Sequence, residues 1–550
     1  MTPKMQELME RLRKAKVLQE AETEANEVSG GGIILSPTGH ITKDKYGNAI
    51  TLNSKQEEFV SLAKSGASCI LIGAAGTGKT TTQRVVTEEL IQSGIAGILD
   101  AEDHKHLLSG TPGIVVCAYT RRAVANIRRN MPADMSSNCI TIHKLLEYQP
   151  VYDEVMDPMS GESKTKMSFE ATRNQIHPLP QSIHTIIFEE SSMIGVDLYK
   201  EVINACPHKP QLIFLGDIQQ LPPVFGPAIL GFKLLELSVV ELTEVYRQAL
   251  ESPIISLAHR ILSANPLDVS EFKDWKKPGQ LTIHPWAKKI SADTALSTAA
   301  LFFTKTVDTG IYDTEEDIIL LPFNKAFGTE ELNKHIANHL AKKASKEVFE
   351  IVAGFNRIYL SQGDKVLYDK EDATIIKIEK NQTYAGAQPI PSSTTLDYWG
   401  YDPVTHTSKE EMNDESVDFL LNQVAAADSE DRVRQCSHII TLQMRDSDQE
   451  IRVSKASEVN SMLLGYALTV HKSQGSEWAK VFLVTHQSHN TMISRELLYT
   501  AVTRARNELY IICEPDHFVK GIQSQRVKGN TLAEKAEYFK GRIDEGFNPQ

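Results

Sequence analysis

The chain has 550 residues, is 41% hydrophobic and 23% charged, and carries a formal net charge of −13. That length is more than one hydrophobic core organises, so about three or four domains are expected. The acid excess argues against a protein that coats itself with nucleic acid, while leaving room for a narrow basic groove, and no apolar run approaches the roughly 20 residues of a membrane-spanning helix.

At the N-terminus, Met5, Leu8, Met9, Leu12 and Ala15 fall at helical spacing and predict an amphipathic helix. Met1 to Val28 is highly charged and lacks the apolar core of a secretory signal. Ser29-Gly30-Gly31-Gly32 ends that helix, and short strands are expected around Pro37-Thr38-Gly39 and Tyr46-Gly47-Asn48. Residues 1–50 therefore form an N-terminal extension, a packing element or an arm for a partner. Ser54-Lys55-Gln56-Glu57 is a capping box that starts the next helix. Cys69-Ile70-Leu71-Ile72 reads as a buried strand and Thr81 to Ile91 as a helix.

Further apolar runs follow at Gly113 to Ala118, Thr185 to Phe188, Leu212 to Leu215 and Val239 to Leu242. A second set occupies Ile318 to Leu321, Val481 to Thr485 and Leu509 to Cys513. Strands alternating with helices predict an α/β chain with two parallel sheets. Two stretches depart from this. Gln149 to Ser182 is polar, with a Met159-Ser160-Gly161-Glu162 turn between short strands. Ser361 to Glu458 opens with strands at Lys365 to Tyr368 and Ile375 to Ile378, holds Tyr398, Trp399 and Tyr401, and becomes acidic and helical over Ser408 to Asp431. The expected domains are a first sheet unit over 51–250 with an insertion at about 149–182, a second over 251–360 and 459–550, and an inserted β-rich domain over 361–458. The six cysteines are scattered without a C-x-x-C pair and read as small buried hydrophobes, which fits a reducing cytoplasm and suggests neither structural zinc nor a disulfide framework.

The most informative segment is Gly73-Ala74-Ala75-Gly76-Thr77-Gly78-Lys79-Thr80, a phosphate-cradling loop between a strand and a helix. Its glycines admit backbone shapes that side chains would block. Its N–H groups, through Thr81 at the helix start, are donors for phosphate oxygens. Lys79 is a point charge for the outer phosphates, and Thr80 offers a hydroxyl to Mg²⁺. The strand Ile186-Ile187-Phe188 runs into Glu189 and Glu190. One acid at such a strand tip holds the metal and its neighbour polarises water, so Glu189 is assigned to Mg²⁺ and Glu190 to general base. Gln220, in Gly216-Asp217-Ile218-Gln219-Gln220-Leu221-Pro222-Pro223, is placed to sense a terminal phosphate.

Together these segments resemble superfamily 1 (subgroup B) DNA helicases of the RecD-like and phage Dda-like branch. The likeness runs in family order from about Leu52 to Cys513, with gaps at the two insertions. Gln56 resembles the adenine-reading glutamine, and Ala118-Tyr119-Thr120-Arg121-Arg122-Ala123 is similar to motif Ia. Thr141-Ile142-His143-Lys144 is similar to a Thr-Ile-His element of the branch, and Glu189-Glu190-Ser191-Ser192-Met193 stands where the family has Asp-Glu-Ala-Ser-Met. Gly216 to Val224 resembles motif III, and Leu242-Thr243-Glu244-Val245-Tyr246-Arg247 motif IV. Leu468-Thr469-Val470-His471-Lys472-Ser473-Gln474-Gly475-Ser476-Glu477 resembles motif V, and Tyr499-Thr500-Ala501-Val502-Thr503-Arg504-Ala505-Arg506 motif VI.

The resemblance implies two RecA-like domains with ATP between them, and an SH3-like β-barrel in the larger insertion. It implies catalytic roles for Lys79, Glu190, Gln220, Arg247 at the γ-phosphate, and Arg504 as an arginine finger from the far domain. Tyr246 would stack near adenine, with Gly475 and Glu477 also at the nucleotide. Thr120, Arg121, His143, Thr469 and His471 would lie on the DNA face. The implied activity is ATP-dependent, 5′-to-3′ movement along single-stranded DNA and unwinding of tailed duplexes, by a monomer in a bacterial or phage-infected cytoplasm, in replication, recombination or repair. The smaller insertion would supply the hairpin that splits the duplex. The Glu189 departure keeps a second reading open, a nucleotide-gated DNA-binding or loading factor with weak turnover. A helicase–nuclease is disfavoured, because neither insertion nor the C-terminus carries a clustered metal-carboxylate motif.

Overall fold

The computed structural model describes residues 49–94, 113–131, 133–156, 163–223, 226–245, 251–263, 280–285, 290–325, 327–353, 356–368, 371–382, 384, 401–402, 407–408, 435–445, 449–545 and 547. The expected N-terminal helix and strands, the Met159–Glu162 turn, Tyr398, Trp399 and nearly all of the acidic Ser408–Asp431 stretch lie outside the described residues.

The first sheet has six parallel strands, in the order Cys139–Thr141, Gly113–Ala118, Ile183–Phe188, Gln211–Gly216, Cys69–Gly73 and Ser238–Leu242. Every residue of Cys69–Gly73, Gly113–Ala118 and Gln211–Gly216 is buried. Such runs are continuous rather than alternating because helices cover both faces of a parallel sheet. Consecutive residues enter opposite cores: Ile70 packs with Phe188 and Phe214, Leu71 with Val116 and Ile213. Parallel strands also place all their carboxyl ends along one edge, which carries Gly73, the step from Phe188 to Glu189, and Asp217.

The second sheet is again parallel, in the order Ala467–Thr469, Ile318–Leu321, Trp478–Val484, Ala505–Cys513 and Leu281–Pro285. The two-domain RecA-like α/β expectation therefore holds. Three edge strands, Cys139–Thr141, Leu281–Pro285 and Ala467–Thr469, were not anticipated; at three to five residues they are too short to show a period.

A third, antiparallel sheet follows the path Asn356–Ser361, Val348–Ala353, Gln435–Met444, Glu371–Lys380, Lys365–Tyr368 and Leu463–Leu464, with Glu450–Lys455 also on Gln435–Met444. It therefore starts at Val348, and the expected boundary at 361 cuts through its first hairpin, which is registered from Val348 opposite Ser361 to Ala353 opposite Asn356. The apolar end Ile351-Val352-Ala353 lacks a clean period of two, so it does not announce an antiparallel strand. The smaller insertion is a two-stranded hairpin, Tyr148–Met156 against Ser163–Ala171, registered along its whole length.

The C-terminus departs from the expected division. The helix Leu532–Asp544 returns to the first unit, where Phe539 and Val527 join the core around Phe232. The rings of Phe232 and Phe539 meet edge to face with centroids 5.1 Å apart, and Phe547 stacks on Phe232 at 5.2 Å. Assigning all of 459–550 to the second unit is therefore corrected for 527–547. Sequence periodicity shows which residues of a helix are apolar, not which domain they meet. Phe539→Ala is expected to cost about 3–5 kcal/mol of first-unit stability, as for other buried phenylalanines. Denaturant unfolding followed by a probe in that unit checks this, and parental stability would show that the helix is no part of that core. All six cysteines are buried and unpaired, as small hydrophobes. No described helix is long and apolar enough to cross a membrane.

Candidate nucleotide site and nucleic-acid face

The phosphate loop leaves the end of Cys69–Gly73 and enters the helix Lys79–Gln92 through Gly78, its N-cap. Gly76 and Gly78 have φ of 80° and 84°, the left-handed region open to glycine at little cost. A Cβ on Gly73 would overlap the Thr77 hydroxyl, so the turn needs glycine there too. No acid sits in the first turn of the helix, which leaves its N-terminal field open to an anion. The Lys79 ammonium is folded onto the loop, donating to Gly73 O (2.7 Å) and Ala74 O (3.2 Å). Ala74, Ala75 and Thr81 are half-buried, Thr77 is buried and Thr80 is exposed.

Gln56 is fully buried and held by a capping box one residue earlier than expected. Asn53, not Ser54, is the N-cap; its side chain accepts Gln56 N–H (2.9 Å), and Gln56 Oε1 accepts Asn53 N–H (3.0 Å). The Gln56 amide then points to Thr77 O at 3.5 Å. Asn-x-x-Gln and Ser-x-x-Glu overlap here, and asparagine caps as well as serine.

Glu189 follows Ile183–Phe188, and its N–H donates to Cys117 O on the neighbouring strand (2.8 Å). Burial pushes its carboxyl up to about 8; Glu190 adds to the rise and Lys79 opposes it. Lys79 and Glu189 thus share one electrostatic neighbourhood. Glu190 has φ 50°, a left-handed conformation unusual for a side-chain-bearing residue. Ser191 Oγ donates to Leu215 O (2.8 Å) and helps fix the turn after it. Hard oxygen donors of this kind, the Thr80 hydroxyl and the Glu189 carboxylate, suit Mg²⁺. Among the described residues no cluster of three or more His, Cys, Asp or Glu could hold a metal by protein ligands alone. Gln220 is 6% exposed, its carboxamide oxygen has no hydrogen-bond partner among the described residues, and it lines a cavity of about 270 Å³ with Arg526 and Arg542.

The second unit reaches this edge through the helix Arg495–Val502. The Tyr499 hydroxyl accepts Ala75 N–H (2.8 Å) and donates to Asp217 Oδ2 (2.6 Å). Thr500 Oγ1 accepts Leu221 N–H (2.9 Å), and Gln474 Nε2 donates to Leu221 O (2.8 Å). Leu221 itself is buried in the second unit's core beside Leu497 and Leu498. Gly475 O accepts Asn126 Nδ2 (2.7 Å), and a Cβ on Gly475 would lie 3.0 Å from Thr120 Oγ1. Glu477 is exposed. Arg504 is 4% exposed and bound within its own unit, donating to Thr500 O (3.0 Å), Ser476 O (3.1 Å) and Thr503 Oγ1 (3.1 Å). The structure thus does not aim Arg504 at the phosphate loop. Tyr246 and Arg247 lie outside the described residues. Tyr499, Thr500, Gln474 and Asp217 stand within the motifs but gain no role from the sequence, because a joint between domains leaves no local spacing to read.

On the face assigned to DNA, Thr120 caps the helix Arg121–Asn130 by accepting Ala123 N–H (3.1 Å). Arg121 is half-exposed and 3.9 Å from Glu371 of the antiparallel sheet. Its neighbour Arg122 pairs with Asp372 and lies over the Trp478 ring at 5.5 Å, so three sheets meet there. His143 stands edge-on between Tyr119 and Tyr148, with centroids at 5.4 and 4.9 Å, at the base of the hairpin. Thr469 is 7% exposed, and its hydroxyl accepts Lys472 N–H (3.3 Å). Burial, aided by Arg526, lowers His471 to about 4, so this ring is neutral at neutral pH.

Residues 56–226 match the AAA domain family and residues 464–512 the UvrD-like helicase C-terminal domain family. The chain is 27% identical over 447 residues to the ATP-dependent RecD2 DNA helicase of Deinococcus radiodurans, a match covering 80% of this chain and 46% of that protein. The chain thus spans about half the length of that relative. It is 23% identical over 465 residues to the ATP-dependent DNA helicase dda of Enterobacteria phage T4, covering 80% of this chain and 93% of that one. The RecBCD enzyme subunit RecD of Haemophilus influenzae is 23% identical over 490 residues, covering 84% and 68%. A solved Pif1 helicase from Bacteroides, in complex with ADP-AlF3 and ssDNA, covers 90% of this chain and 98% of its own at 15% identity, but its TM-score of 0.45 is too low to bear on this chain. With the phosphate loop, the paired acids and the two C-terminal motifs in family order on two parallel sheets, the chain carries matches to an AAA domain and a UvrD-like helicase C-terminal domain and is similar to RecD-like and Dda-like superfamily 1 helicases.

Proposed function

We propose that this chain is an ATP-driven single-stranded DNA translocase and DNA helicase moving 5′ to 3′. The observation that carries the reading is the bonding of the second unit to the phosphate loop and to the adjacent strand end, through Tyr499, Thr500 and Gln474. A unit attached at the fuel site converts the state of the fuel into relative domain motion. Lys79 would exchange its loop carbonyls for the outer phosphates, Gln56 would face adenine, and Glu190 would polarise the attacking water. Thr80 and Glu189 would hold Mg²⁺, which, when bound, draws charge from the triphosphate oxygens. Thr120, Arg121, His143, Thr469 and His471 would contact one DNA strand, with His471 as a neutral hydrogen-bonding group. The hairpin Tyr148–Ala171 would divide a duplex, the antiparallel sheet would serve as the SH3-like element, and the N-terminal extension would dock a replication or recombination protein.

The test is ATP turnover with and without a single-stranded oligonucleotide, together with unwinding of duplexes bearing a 5′ or a 3′ tail. Many-fold stimulation and ATP-dependent opening of the 5′-tailed duplex are expected. ATP binding with near-zero, DNA-independent turnover would replace this reading with the loading factor that Glu189 keeps in view.

A further inference from the structure

We infer that Tyr499 is a positioning residue that ties the shape of the phosphate loop to the seating of the second unit, a role that rests on the motor reading above. A phenol hydroxyl has one proton to give and lone pairs to receive. Here both functions cross the domain joint. The oxygen accepts Ala75 N–H from the phosphate loop (2.8 Å), and the proton goes to Asp217 Oδ2 (2.6 Å) at the end of the neighbouring strand. Tyr499 is fully buried and Asp217 is 1% exposed, so water does not readily substitute for either bond. The other Asp217 oxygen accepts Gln219 N–H (2.9 Å), leaving Tyr499 as the second donor to a buried carboxylate. Burial first, and then Asp217, hold the phenol in its protonated form.

The bonds beside it make this a joint rather than a chance contact. Thr500 and Gln474 grip both polar groups of Leu221, four residues past Asp217. The strand before Asp217 lies in parallel register with the strand that feeds the loop, Gly216 opposite Ile72. A shift of the second unit by an ångström or two carries the hydroxyl beyond bonding range of both partners at once. The loop then loses a bond at Ala75 as the carboxylate loses its donor. The same helix leads into Arg504, whose Nε is bonded to Thr500 O, so loop shape and arginine position move with one element.

Tyr499→Phe keeps the ring and deletes the hydroxyl. In the nucleotide-free protein, hydrogen exchange of the peptide spanning residues 70–80 is expected to quicken about tenfold, a readout that requires no DNA activity. Where the parent is DNA-stimulated, the ratio of stimulated to basal kcat is expected to fall about tenfold, with KM for ATP and oligonucleotide affinity within about threefold, inside the usual span of coupling between sites. Asp217→Asn, which keeps shape and weakens the acceptor, is expected to give the same split at smaller size. Unchanged exchange in both variants overturns the proposal, as does an equal fall of basal and stimulated rates with a lowered melting temperature, which marks a merely structural tyrosine. A parent that DNA fails to stimulate, with faster exchange in Tyr499→Phe, would sink the motor reading and leave the latch standing.

Discussion

Replacing Lys79 with alanine is expected to lower ATP turnover by about 10²–10³-fold, the size of effect found when a preorganised donor to developing charge is removed. The fold should survive the change. Lys79 is half-buried, and its two bonds go to Gly73 O and Ala74 O, carbonyls at the mouth of a loop that water can reach once the side chain is gone. The glycines at φ 80° and 84° set the loop without help from the lysine. The loss therefore falls on chemistry. The ammonium is the one mobile positive charge on the loop, and it also lowers the carboxyl of Glu189, which burial and Glu190 raise. Without it, Glu189 moves further from the ionised form that a metal requires. Phosphate release at saturating oligonucleotide checks the prediction. A variant keeping more than about a tenth of parental turnover would take ATP away from this loop, because charge stabilisation of this kind is not replaced by solvent.

Legibility in the sequence follows whether the cause of a feature is local. The phosphate loop is readable because Gly73, Gly76 and Gly78 answer to local backbone shape. The inner strands are readable because a short, continuous apolar run bounded by turn residues is what a strand covered on both faces requires. Ile318–Leu321 and Gly113–Ala118 fall where the runs place them. The capping box slips by one residue because two equivalent patterns overlap, and only the bonds of Asn53 choose between them. The Val348 hairpin and the C-terminal helix escape the sequence because domain membership is decided by long-range packing, Phe539 on Phe232 across more than 300 positions in sequence. Tyr499 is the extreme case. Nothing near it in sequence hints at Ala75 and Asp217, and its environment exists only once the two sheets are brought together.

Arg504→Ala is expected to lower kcat by about 10³–10⁵-fold while leaving ATP affinity nearly intact, the signature of a positive charge that acts in the transition state. The structure adds a condition to that expectation. The Arg504 guanidinium bonds to Thr500 O, Ser476 O and Thr503 Oγ1, all within the second unit, and the residue is 4% exposed. To reach a γ-phosphate the guanidinium would have to give up some of these bonds, so a finger role requires a rearrangement of the joint. Two results then distinguish a finger from a structural arginine. Arg504→Lys keeps the charge but not the planar fork that satisfies three acceptors at once. If Arg504 serves mainly to knit Thr500, Ser476 and Thr503 together, lysine and alanine should lower the melting temperature alike and weaken nucleotide binding and turnover in parallel. If it is a finger, both variants should bind ATP with near-parental affinity and stall at hydrolysis, with lysine recovering a small part of the rate. Equal losses in affinity and turnover would therefore remove Arg504 from the reaction and leave the joint itself, held by Tyr499, Thr500 and Gln474, as the second unit's contribution to the nucleotide site.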